Sequence, residues 1–394
     1  MFSSGMKLLA SVSALHLLVA TLILLISLCC AEPASADSSV SVYIGTYTGE
    51  KSKGIYLSHF DTSSGKLTPP ELAAETKSPS FLAIHPNKRF LYAVGEVSEF
   101  NGKKNGAVTA FEIDANDGHL HLLDQQASGG TGPSHLAVDK TGKCVLAANY
   151  GSGSIAAFPI GADGKLGEAT ATIQHRGSSL NAQRQAGPHA HFITPDPANR
   201  FALVCDLGLD KVLVYKLDPA KASLMANDPP SASIKPGEGP RHLVFHPNGN
   251  YVYNINEMGS SITVLGYNSR RGALNELQTV STLPENSTTK NTCAEVQVHP
   301  TGKFVYGSNR GDDSIAVFSV DAKTGKLKLV QNQSTRGKTP RHFAIDPTGK
   351  WLLAENQASD NVVVFSIDPK SGHLTAADQE IKVGSPVCVA FLSM

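Results

Sequence analysis

The sequence predicts an all-β protein: a seven-bladed β-propeller with four antiparallel strands per blade, closed by N- and C-terminal strands that share one blade. Three observations predict it. One unit recurs seven times at a spacing of about 46 to 55 residues. Each unit divides into short runs rich in Val, Ile, Phe and Tyr, bounded by Gly, Pro, Asn or Asp. The chain begins in the middle of a unit and ends at the start of one.

The repeat is plainest where GPRHLVFHPNGNYVYNINEMGSSITVLGY, from Gly239, is set above TPRHFAIDPTGKWLLAENQASDNVVVFSI, from Thr339. A leading Pro, an apolar run, a Pro-x-Gly turn, a second run, a polar turn and a third run align throughout. The leading position falls at Pro79, Pro133, Pro188, Pro240, Cys293, Pro340 and Pro386. A fourth strand is expected after each GKL-type turn, as at Lys66-Leu67, Lys165-Leu166 and Lys326-Leu327. Four antiparallel strands repeated at this spacing describe propeller blades. A linear solenoid would need polar caps at both ends. Here the run from Val42 supplies the second and third strands of a unit, and SPVCVAFLSM, from Ser385, supplies a lone first strand. Joining them closes the ring and leaves only short protected edges.

Composition narrows the function. Lys+Arg and Asp+Glu are both 34, so no broad basic face exists to neutralise a phosphate backbone, and nucleic acid is excluded as a partner. Residues 1–36 differ in kind: Lys7 precedes an apolar run from Leu8 to Cys30, followed by Ala34-Ser35-Ala36, the form a signal peptidase cuts. Cleavage would start the mature chain near Asp37. The run is also long enough to serve as an uncleaved membrane anchor, and lipidation at Cys29 or Cys30 is a third reading. All three export the folded part, residues 37–394, to the periplasm or beyond. Cys144, Cys205, Cys293 and Cys388 lack the close paired spacing of zinc sites. They read as buried small hydrophobes, with a disulfide permitted by the compartment.

In an up-and-down blade, the start of the innermost strand and the end of the second strand meet at one mouth. The first set contributes Ser80, Ser134, His189, Arg241 and Arg341. The second contributes Tyr47, Glu96, Tyr150, Asp206, Glu257, Arg310 and Gln357. These residues vary from blade to blade while the apolar frame does not, as expected of a scaffold carrying one asymmetric site. Three converging arginines require acidic neighbours or an anionic ligand. An insertion, HRGSSLNAQRQAGPHAHF from His175 to Phe192, carries Arg184 and leads into a first strand. His189 and His191 are expected on one face of that strand. With Glu257 they offer an incomplete zinc set; alternatively one of them is a general base or a structural hydrogen-bonder. His242 and His342, each following an Arg, are expected to point away from it and to be structural. So are His85, His246 and His299, each followed by Pro at the far end of a first strand.

These motifs, VYIGTYT, RQAGPHAHF, GPRHLVFHPNGNYVYNINE, SNRGDDSIAVF and TPRHFAIDPTGKWLLAENQ, occur in an order that resembles the 6-phosphogluconolactonase family of the seven-bladed propeller type. Its relatives include a fungal carboxymuconate cyclase. The resemblance covers nearly all of Val42 to Leu392. It implies hydrolysis of an anionic sugar lactone, 6-phosphoglucono-δ-lactone to 6-phosphogluconate, using neither metal nor organic cofactor; nothing in the sequence demands an oligomer, so a monomer is expected. Glu257, His189, His191 and Arg241 then form the catalytic set, with Glu257 or a histidine as base and Arg241 on the oxyanion. Arg310, Arg184 and Arg341 bind the substrate's anionic groups. Two rival readings are a cycloisomerase acting on a carboxymuconate-like diacid and a non-catalytic binding propeller. The export segment sits oddly with a cytoplasmic sugar phosphate, so another lactone is also open.

Overall fold

The computed structural model describes residues 39–392, so the N-terminal apolar run lies outside the described residues. Strands build seven antiparallel sheets, and the only helix among the described residues is a three-residue 3-10 turn, Pro219–Lys221. Blade 1 is the closing blade: Pro386–Leu392 is innermost, followed by Ser39–Thr46, Gly54–Asp61 and an outer strand split into Lys66–Leu67 and Glu71–Glu75. Blades 2 to 7 begin with innermost strands Leu82–Ile84, Pro133–Val138, Ala190–Pro195, Pro240–Phe245, Thr292–Val298 and Pro340–Ile345, each leading outward through three more strands. Closure is by register: Ser41 pairs with Leu392, and the ladder runs to Thr46 opposite Pro386.

Seven apolar clusters hold the ring, one at each interface between neighbouring blades, including Val42, Ile44 and Phe60 of blade 1 against Leu353, Val362 and Val364 of blade 7. A repeated polar clamp reinforces them. Tyr92, Tyr253 and Tyr306 each donate a hydroxyl hydrogen bond to the carbonyl of a turn glycine in the next blade, Gly164, Gly325 and Gly372, at 2.9, 3.0 and 2.9 Å. The same glycines have φ of 81°, 70° and 74° and lie against Phe90, Tyr251 and Phe304 so closely that a Cβ would approach the ring to within 2.6 Å or less. That is why the GKL turn keeps its glycine. His85, His246 and His299 form a second clamp as expected, each bonding Gly142, Gly302 or Gly349 of the following blade. Cys144, Cys205, Cys293 and Cys388 are free and buried.

The innermost strands share an irregularity that the alternation of strand side chains does not anticipate. Six blades carry a β-bulge at the start of this strand, for example between Pro240 and His242 and between Pro340 and His342. A bulge sets two residues against one and turns both the same way. His242 and His342 therefore do not point away from Arg241 and Arg341. They join Phe81, His135 and Phe192 in a ring packing across the axis, with Phe81 5.9 Å from His242 and 5.8 Å from His342.

Candidate active site

The bulge register also corrects the reading of blade 4. Ala190 pairs with Asp206 as Pro240 pairs with Asn256, so Ala190, not Pro188, holds the leading position. His191 is therefore the counterpart of Arg241 and Arg341. His189 precedes the strand instead of sharing a face with His191, and Leu207, not Asp206, matches Glu257. The extra length of the insertion obscured this shift in the sequence. Asp206 anchors the insertion instead. It bonds His175 Nδ1 at 2.6 Å and accepts the His189 amide at 2.8 Å, pinning both ends of that segment.

A recess of about 320 Å³ opens at the mouth, lined by Tyr47, Glu96, Ser134, Tyr150, Arg184, His191, Glu257, Arg310 and Arg341. Its centre is Glu257. Arg184 Nη2 lies 2.6 Å from Oε1; Arg310 Nη2 and Arg241 Nε lie 2.9 and 3.3 Å from Oε2. Burial alone would raise this carboxyl, but the three guanidiniums outweigh it and hold it down at about 2. Arg241 is buried beside Glu257, outside the lining, with Nη1 donating to the Ala294 carbonyl at 2.6 Å. Burial, then repulsion from Arg341 and Arg310, pushes it down to about 9, still protonated at neutral pH. Arg310 borders the recess and is tied to the Cys293 carbonyl at 2.8 Å.

Arg184 reaches the site because the insertion is folded on itself. Asn181 Oδ1 accepts the amides of Gln183 and Arg184, and the buried Gln185 donates to the Leu207 carbonyl at 2.8 Å. The Arg184 head then also donates to the Tyr150 hydroxyl at 3.2 Å. Nothing in the spacing of the insertion singled out His175 or Gln185 for this anchoring.

Arg341 differs from the other three arginines. Among the described residues its guanidinium has no hydrogen-bond or ion-pair partner, only the face of Tyr47 at 5.3 Å. Tyr47 donates to Glu96 Oε2 at 2.8 Å, and Ser80 donates to the same oxygen. Four guanidiniums thus meet two carboxyl groups, Glu96 and Glu257, leaving an excess of two positive charges for an anion.

His191 borders the recess with a ring that makes no hydrogen bond, its Nδ1 buried and unpartnered. Burial first, then Arg241, Arg341 and Arg310, hold it well below the usual histidine range, so the imidazole is neutral. His189 stands beside the recess, stacked on Tyr150 at 4.6 Å with Nδ1 2.9 Å from the Tyr150 carbonyl oxygen. The structure thus gathers His191, Glu257, Arg184, Arg310 and Arg341 in one recess and leaves His189 and Arg241 just outside it. Among the described residues no group of three or more His, Cys, Asp or Glu has the arrangement of a metal site.

Comparison with known proteins agrees with this architecture. The family described as Lactonase, 7-bladed beta-propeller, matches residues 41–391. A 6-phosphogluconolactonase of Bacillus subtilis is 38% identical over 350 residues, covering 89% of this chain and 97% of the relative. One from Formosa agariphila is 35% identical, covering 76% and 85%. Among solved structures, the periplasmic gluconolactonase of Pseudomonas aeruginosa superposes with a TM-score of 0.85 at 33% identity, covering 90% of this chain and 99% of that one. The chain belongs to the seven-bladed β-propeller lactonase family.

Proposed function

We propose that the recess hydrolyses a sugar lactone carrying an anionic group, 6-phosphoglucono-δ-lactone, to the open acid. The observation that carries this reading is Arg341, a guanidinium without an ionic partner in a recess lined by three guanidiniums against two carboxyl groups, with Arg241 buried behind Glu257. A phosphate monoester near neutral pH carries about −1.5 to −2, and a guanidinium fork suits it. The names of the Bacillus and Formosa relatives support the same substrate.

Lactone hydrolysis needs a proton acceptor for the attacking water and donors for the oxyanion. Glu257, drawn down by three arginines, is a poor acceptor and serves as the anion that fixes their heads. The neutral His191 ring takes the proton from water. As the water oxygen bonds to the carbonyl carbon, Arg310 faces the developing oxyanion, with Arg241 buried behind Glu257. The ring C–O bond then breaks and its oxygen takes the proton held by His191 to become a hydroxyl. The new acid ionises, so one proton leaves per turnover. The chemistry requires no metal in this reading.

The apolar run of residues 8–30 and its A-x-A end support a placement of the reaction outside the cytoplasm. That placement, together with the periplasmic gluconolactonase name of the Pseudomonas relative, favours unphosphorylated gluconolactone as a second substrate. Acid release above the spontaneous rate, followed with the full chain and with His191→Gln, tests the proposal. Acceleration by the native chain and its loss in the variant are expected; no acceleration with either lactone would overturn it. Fractionation of expressing cells tests the compartment, with export expected and a purely cytoplasmic protein contradicting it.

A further inference from the structure

Glu96 lines the active recess yet takes no part in the hydrolysis. It follows the second strand of blade 2, Phe90–Gly95, whereas Glu257 and Arg310 stand at the ends of second strands in blades 5 and 6. In a ring of seven, blades 5 and 6 lie across the axis from blade 2. Glu96 therefore occupies the wall opposite the Glu257 and Arg310 pair.

Its carboxyl group is fixed from one side only. Tyr47 donates to Oε2 at 2.8 Å, and Ser80 donates to the same oxygen. The Glu96 amide is tied to the Ser78 carbonyl at 3.0 Å. Among the described residues Oε1 has no hydrogen-bond partner, and Glu96 forms no ion pair. The direction of this spare oxygen is thus set before a ligand arrives.

The rest of the lining is short of acceptors. Arg184, Arg310 and Arg341 can only donate. Both oxygens of Glu257 are claimed by guanidiniums, and the Tyr150 hydroxyl already receives a hydrogen bond from Arg184. His191 is reserved for the attacking water. No aliphatic side chain lines the recess, so it suits a ligand polar on every side. Hydroxyl groups bring hydrogens that need acceptors, and one left unpaired on burial is costly. Glu96 Oε1 is the carboxyl oxygen left to receive them.

We propose that Glu96 is the specificity residue for the hydroxylated face of the substrate, accepting hydroxyl hydrogens of a polyhydroxylated lactone while the guanidiniums hold its carbonyl and anionic groups. Tyr47 mounts both subsites, since its ring face lies 5.3 Å from the Arg341 head while its hydroxyl holds Glu96. The substrate class is restricted in two directions. A lactone without hydroxyls leaves Oε1 unpaired. A carboxymuconate-like diacid brings a further carboxylate toward that of Glu96 and is repelled.

This inference rests on the lactonase reading, and the experiment separates the two. Glu96→Gln keeps the shape of the side chain. Tyr47 and Ser80 both donate, so they hold the amide oxygen of the variant and turn its NH2 toward the recess, where an acceptor becomes a donor. Initial rates of acid release are measured with the full chain on glucono-δ-lactone and on δ-valerolactone, which has the same ring without hydroxyls. The native chain should favour gluconolactone by at least about a hundredfold in kcat/KM. The variant should lose at least about tenfold of that preference, chiefly through a raised KM for gluconolactone. A native chain that treats the two lactones alike would overturn the role of Glu96, and that comparison stands even if the variant fails to fold. A folded variant with native kcat/KM for gluconolactone, or with equal losses on both lactones, would overturn it too and leave the lactonase intact. A native chain inactive on both would overturn both readings.

Discussion

The two ends of the same blades follow opposite rules. At the end carrying the Pro-x-Gly turns, His85, His246 and His299 repeat one contact with the next blade. At the mouth, equivalent positions hold Ser80, Ser134, His191, Arg241, Ala294, Arg341 and Val387. Positions that repeat hold the ring together, and positions that differ supply chemistry. The difference between neighbouring arginines extends the lesson: Arg241 and Arg310 are committed to Glu257, while Arg341 is left for a ligand.

The comparison can be broken most sharply at Arg310. Arg310→Ala removes an oxyanion donor and should lower kcat by at least about a hundredfold, read as initial rates of acid release. Arg241→Ala should cost turnover on a similar scale. It should also lower the melting temperature, because it strips a buried partner from Glu257. Near-normal turnover in both would remove this cluster from the mechanism.

Acid should act on the mouth through several groups, and their signs differ. Glu257 is held at about 2 against an ordinary 4.5, so its stabilisation is complete above 4.5 and is lost as pH falls toward 2. His135, His191 and His242 are held below 6.5, so the unfolded chain takes up protons first and stability falls as pH drops below 6.5. Glu295, raised to about 7, works in reverse. The folded chain keeps a proton that the unfolded chain releases, and stability is lost as pH rises from 4.5 to 7. Thermal unfolding against pH should show the native chain losing stability relative to Glu295→Gln across that window. A constant difference would contradict the assignment.

A smaller effect is expected from the insertion. Asp206→Asn weakens the contacts that pin its ends, so it should raise KM about threefold to tenfold through Arg184 while leaving the other arginines in place. The smallest effect belongs to the repeated end: Tyr253→Phe deletes one clamp hydrogen bond and should cost about 1 kcal/mol of stability. Turnover should not change, and a large loss of activity there would blur the distinction between the two ends.

The ring, its strand order and its closure were legible because they rest on short-range patterns: strand runs, turn glycines and a repeat that starts in mid-unit. The site was legible in composition but not in register. Five other units begin with Pro, which favours Pro188 as the leading residue of blade 4, yet the insertion displaces the strand start to Ala190. The facing of His242 escaped the sequence because a bulge breaks the alternation on which the expectation rested. The partnership of Glu257 with Arg184, and the freedom of Arg341, depend on side chains far apart in sequence, and no local pattern encodes them.

The central claim, that the variable mouth is a lactone site tuned to an anion by Arg341, is tested most directly by comparing kcat/KM for phosphorylated and unphosphorylated gluconolactone in the native chain and in Arg341→Ala. The account predicts a loss of at least about tenfold for the phosphorylated lactone and little change for the other. Equal losses on both lactones, or none on either, would contradict it.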